Sequence, residues 1–91
     1  MLKDIVAVQP LDCYELHLKF EDEVEGVVDI AKLIEFTGIF EPLSDRAYFA
    51  QVTVNPELGT ICWDNGADLD PDVLYSIVAQ QTLPMYAQTQ T

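Results

Sequence analysis

The densest run of side chains that could do chemistry is Asp64-Asn65-Gly66-Ala67-Asp68-Leu69-Asp70-Pro71-Asp72, with four carboxylates in nine residues. Carboxylates this close could chelate calcium, which takes about six to eight oxygens from a loop of regular spacing ending in a bidentate glutamate. The spacing here departs from that loop, and no glutamate follows it. Each residue also has a backbone explanation. Asn65-Gly66 is turn chemistry. Asp70 suits a helix N-cap, Pro71 the first helical position, and Asp72 the positive end of the helix dipole. The run therefore reads as turn and cap, with a small metal-dependent binder or enzyme as an alternative.

Other reactive residues are dispersed. His17 is the single histidine, and the alternation around it puts it on a wet strand face between Glu15 and Lys19. A general base also needs a pocket and an orienting partner, and neither is evident. Ser44 and Ser76 have no base nearby in sequence. Cys13, Cys62 and His17 form no zinc spacing. Gly26, Gly38, Gly59 and Gly66 are isolated, so there is no phosphate-binding loop. With sixteen acids some carboxylates must lie close together, so a carboxylate pair carries little information. The expectation is no enzyme, no catalytic residue, no metal and no cofactor.

Contact chemistry is better represented. Trp63 ends a strand-like run just before the acidic turn, and Tyr48, Tyr75 and Tyr86 add aromatics. Tryptophan and tyrosine often anchor protein interfaces. The candidate partner-binding set is Trp63, Asp64, Asn65, Asp68 and Tyr75. The competing reading packs Trp63 on Tyr75, pinning a hairpin to the last helix.

Charge narrows the partner. The 91 residues carry a net charge of −12, and the four bases, Lys3, Lys19, Lys32 and Arg46, are scattered. Nucleic-acid binding needs clustered bases to replace phosphate counterions. An anionic membrane surface would be repelled as well. A basic protein partner, a homo-oligomer or plain solubility remain. No run approaches the roughly 18 apolar residues of a membrane span. The N-terminus lacks a signal-peptide core, and both cysteines look reduced and packed in strands, so the expected location is cytoplasmic.

The positioning elements follow from periodicity. Residues 4–9 read as a strand buried on both faces and broken by Pro10. Residues 13–20 alternate, with Tyr14, Leu16, Leu18 and Phe20 on one side. Glu21-Asp22-Glu23 is the turn, and residues 24–28 return, with Gly26 marking a bulge or close approach. Asp29 caps a two-turn helix that Gly38 ends, followed by an extended connector over 39–43. Ser44 caps a helical turn, residues 51–55 and 60–63 form a hairpin, and Asp70 caps a helix with stripe Val73, Leu74, Ile77 and Val78. The expected fold is α+β: one small domain over residues 1–83, with about five short, mostly antiparallel strands and two short helices. The hairpin is expected on the last helix, and residues 84–91 as a frayed polar tail.

One stretch has a family likeness. Gly38-Ile39-Phe40, Pro42-Leu43, Asp45, Phe49, Val52, Val54, Gly59-Thr60-Ile61, Trp63, Asn65-Gly66, Asp68-Leu69, Pro71-Asp72 and Leu74-Tyr75 resemble an uncharacterised bacterial family, the domain of unknown function numbered 2442. The likeness covers about residues 3–83, more loosely before Val28-Asp29. Asp64 stands where that family often has proline, and Glu23 where it usually has a turn glycine. The resemblance implies a small α+β fold without an established activity. Some members look encoded beside small proteins in a toxin–antitoxin-like arrangement. The expected function is thus a non-catalytic protein-interaction module, the acidic member of a two-protein system, with a self-associating structural subunit as an alternative.

Overall fold

The computed structural model describes residues 3–81. The tail expected over 84–91 lies outside them. The chain forms strands β1 (Ile5–Pro10), β2 (Glu15–Phe20) and β3 (Glu25–Asp29), helices α1 (Ile30–Leu33) and α2 (Arg46–Phe49), strands β4 (Thr53–Asn55) and β5 (Thr60–Cys62), and helix α3 (Pro71–Gln81). The first three strands make an antiparallel sheet in the order β1-β2-β3, and β4 and β5 form a separate antiparallel hairpin. This is the α+β class expected from the alternation.

β2 shows why. Leu16, Leu18 and Phe20 are buried, while Glu15, His17 and Lys19 between them are partly exposed. Strict alternation puts successive side chains on opposite faces, so one face of the sheet carries the core and the other meets water. Ile5 and Val28 join that inner face. Ile30, Leu43, Phe49, Val52, Ile61, Trp63, Leu74 and Val78 close over it.

β1 departs from expectation. It is not buried on both faces: Val6 is 53% exposed, and Pro10 belongs to the strand. β1 borders the sheet, where a proline costs no ladder bond. Its register slips between Ile5 and Ala7, a bulge that leaves Val6 unpaired. Beyond it, the Ile5 amide donates to the Gly59 carbonyl at 2.9 Å, so β1 joins the sheet to the hairpin.

The segment after β3 also differs. Asp29 stands at the N-cap of α1, but its carboxylate accepts no bond from the helix, and its Oδ1 is buried without a partner among the described residues. Asp29 is also the last residue of β3, paired with Glu15, so the strand sets its direction. α1 lasts one turn rather than two, closed by the Ile34 amide donating to the Ile30 carbonyl. Ile34, Phe36, Thr37 and Gly38 are poor helix formers, and Ile34 is already extended. Gly38, at φ 58, opens a 3-10 segment over Gly38–Ser44 instead of ending a helix. That segment replaces the extended connector expected from Pro42. Buried Leu43, the Ser44 hydroxyl donating to the Glu41 carbonyl at 2.9 Å, and the Tyr14 hydroxyl donating to the Ser44 carbonyl hold it in place. Asp45, not Ser44, caps α2 by accepting from the Ala47 amide at 2.9 Å.

α3 begins as its sequence dictates. Asp70 Oδ1 accepts from the Asp72 amide at 2.9 Å, and Pro71 leads the helix. Leu74 and Val78 are buried, whereas Val73 is 44% exposed. The helix packs on β3, and the hairpin on β1. The expected docking of the hairpin on α3 is thereby corrected: the Ile5–Gly59 bond fixes the hairpin at the far border of the sheet.

Candidate functional site

The loop between β5 and α3 is a tied structure. The Trp63 amide donates to the Ala67 carbonyl at 2.9 Å, and the Gly66 amide to the Trp63 carbonyl at 3.0 Å. Gly66 sits at φ 91, a backbone state that a Cβ disfavours. Asn65 Oδ1 accepts from the Ala67 amide at 3.1 Å. An isolated bridge pairs Cys62 with Asp68, and the buried Thr60 hydroxyl donates to the Leu69 carbonyl at 2.5 Å.

Two further bonds fasten the loop to the segment before β4. The Asn65 side-chain amide donates to the Ile39 carbonyl at 2.8 Å, and the Asn65 backbone amide donates to the Tyr48 hydroxyl at 3.0 Å. Asn65 is therefore a clamp across three stretches of chain. The sequence suggests Asn65 as a contact residue and Tyr48 as a further aromatic outside that set, without linking the two. The asparagine-glycine pair signals a turn but says nothing of a distant carbonyl.

Trp63 is used internally. It is 3% exposed, its indole N–H donates to the Phe49 carbonyl at 3.0 Å, and its ring lies 5.9 Å from that of Phe49. In this conformation it offers a partner no surface. It also does not pin the helix through Tyr75. Tyr75 stands edge-on to Phe20, ring centroids 5.0 Å apart, and its hydroxyl donates to Asp22 Oδ2 at 2.6 Å. That bond holds the Asp22 carboxyl below its ordinary range and the Tyr75 hydroxyl above its own.

Asp64 and Asp68 are exposed, and their carboxylates make no hydrogen bond or ion pair among the described residues. Of the five candidate contact residues, these two point charge into solvent. Among the described residues no three His, Cys, Asp or Glu side chains come together in a way that could hold a metal ion. His17 lies away from this loop, its Nε2 3.0 Å from Glu25 Oε1 across the β2–β3 pair. Cys13 was expected packed in a strand. It is exposed instead, at φ 59 in a 3-10 turn over Asp12–Tyr14, while Cys62 is half-buried in β5. The Tyr14 ring in that turn packs on Phe36 and Phe49, which explains why the strand begins at Glu15.

Next to the loop lies an apolar groove of ≈ 200 Å³ lined by Leu33, Ile34, Leu69, Asp70 and Val73. It adjoins a second depression along Val28, Asp29, Lys32, Leu33 and Ile77. The outward half of the α3 stripe thus faces a groove shared with α1, a feature invisible to helical periodicity alone. No helix of the described residues is long and apolar enough to cross a membrane.

These features define a small α+β domain that presents a hydrogen-bonded acidic loop beside an apolar groove. A family model described as "Protein of unknown function (DUF2442)" matches residues 5–79, and the chain belongs to that family. No curated protein and no solved structure matches it.

Proposed function

We propose that this chain is a non-catalytic protein-interaction module, the acidic member of a two-protein system, and that it meets a basic partner through the loop carrying Asp64 and Asp68. The supporting observation is the loop's construction. Its backbone and Asn65 are tied internally, while the carboxylates of Asp64 and Asp68 stay exposed and unpaired among the described residues. Charges held on a fixed backbone cost little ordering on association. A surplus of twelve negative charges speeds encounter with a cationic surface. Pull-down from the native host tests the proposal. A retained basic protein, lost when Asp64 and Asp68 are both changed to lysine, supports it. Retention of no partner by the native chain removes the reading.

The apolar groove between α1 and α3 favours a second reading, a self-associating subunit. Leu33, Ile34 and Val73 there could meet a second copy. Light scattering separates the two readings, since a monomer at all concentrations excludes self-association.

A further inference from the structure

Gln81, the last described residue of α3, covers the side of β3 that faces away from β2, as a neighbouring strand would. Its Oε1 accepts from the Val27 amide at 3.0 Å, and its Nε2 donates to the Val27 carbonyl at 2.5 Å. β3 ends the sheet order, so among the described residues its outward backbone groups have no strand beside them. One side-chain carboxamide, with a donor and an acceptor side by side, stands in for one peptide unit of a missing strand.

The backbone is shaped to admit it. A Cβ on Gly26 would fall 2.3 Å from Gln81 Oε1 and 3.1 Å from Val78 Cγ1. Glycine within a strand is otherwise unfavourable. Here it gives the carboxamide its approach.

Among the described residues the cover is partial. It engages Val27 in a five-residue strand and rests on two hydrogen bonds from the end of a helix. An added strand would form a longer ladder at the same border. Glu25 and Asp29 flank Val27 on the same face, because side chains two apart share a face. A second copy paired antiparallel about Val27 would set Glu25 against Asp29, and like charges directly opposite are destabilising. A segment bearing lysine or arginine would meet opposite charge at both places.

We infer that β3 is a strand-acceptor edge for an extended basic segment of a partner protein, kept closed by Gln81. This rests on the reading of a basic protein partner and adds a contact surface separate from the 64–72 loop.

The test titrates the full chain and its Gln81→Ala variant with a synthetic peptide, about nine residues long, alternating lysine and valine. The same peptide methylated at alternate backbone amides is the control, and backbone amide shifts are read by NMR. The expected result is weak binding to the native chain with shifts centred on Glu25, Val27 and Asp29. Gln81→Ala should bind about tenfold more tightly, since two hydrogen bonds no longer compete. The methylated peptide should not bind. If Gln81→Ala disturbs α3, Gly26→Ala displaces the carboxamide without changing the helix sequence and should give the same gain. Equal binding of the methylated peptide, shifts confined to the 64–72 loop, no gain in either variant, or no binding at all each overturns the inference. The native-host pull-down with Asp64 and Asp68 changed judges the interaction reading separately.

Discussion

Tyr75 in α3 donates a 2.6 Å hydrogen bond to the carboxylate of Asp22, 53 residues earlier in the turn between β2 and β3. With the edge-on contact to Phe20, this bond places the middle of the helix over the closing end of the β2–β3 hairpin. The tie explains why Tyr75, which lies off the apolar stripe of α3, is half-buried. Its apolar ring fills space over Phe20 while its hydroxyl reaches a charged acceptor.

The pH dependence of that tie has a defined sign. The Tyr75 hydroxyl bond lowers Asp22, so Asp22 contributes stability above its unfolded value and loses it as pH falls through the folded one. The same bond raises Tyr75 from 10.0, so its contribution is full below that value and is lost as pH rises through the folded one. In Tyr75→Phe both effects disappear. The Asp22 carboxyl, followed by NMR titration, should move up toward its ordinary range. An unchanged titration would show that the bond is not formed in solution.

Glu23 adopts φ 74, where a side chain is strained. The turn closes with the Glu23 amide on the Phe20 carbonyl at 3.0 Å and the Phe20 amide on the Val24 carbonyl at 2.8 Å. This is a three-residue hairpin loop ending in a left-handed residue. Glu23→Gly should raise stability by about 0.5–1 kcal/mol in urea denaturation. The exposed Lys19–Glu23 pair at 3.5 Å that it removes is worth little. A loss of stability would count against this strain.

Trp63→Ala should cost about 3–5 kcal/mol through the cavity it leaves and the lost bond to the Phe49 carbonyl. Small domains hold only about 5–15 kcal/mol in all, so the variant should unfold at a much lower urea concentration than the native chain, followed by circular dichroism. An unchanged urea midpoint in Trp63→Ala would mean the indole is not a core element.

Asn65→Ala removes the side-chain bonds to Ile39 and Ala67 together and should destabilise by about 1–3 kcal/mol. Asn65→Asp keeps the acceptor for Ala67 but not the donor for Ile39, so its cost should be smaller. Thermal denaturation of the two variants side by side checks the order. Equal losses would assign the whole effect to the Ile39 contact, the one that both variants lose.

Much of this architecture is legible in residue order because local chemistry decides it. The alternation from Leu16 to Phe20 sets one wet and one dry face whatever packs above. Asp70-Pro71-Asp72 starts α3 because capping and proline geometry act within one turn. The net charge of −12 is a matter of composition alone.

What tertiary structure alone decided involves groups far apart in sequence. The 3-10 path over Gly38–Ser44 depends on Tyr14 reaching the Ser44 carbonyl, which overrides the extended preference before Pro42. The use of Trp63 on Phe49 and the clamp role of Asn65 likewise depend on distant partners. Gly26 signalled a close approach from sequence, but only the fold showed that the approaching group is Gln81. Periodicity reports which side of an element is apolar. It carries no information about which element arrives to cover that side, because side chains of equal polarity compete equally until the chain closes.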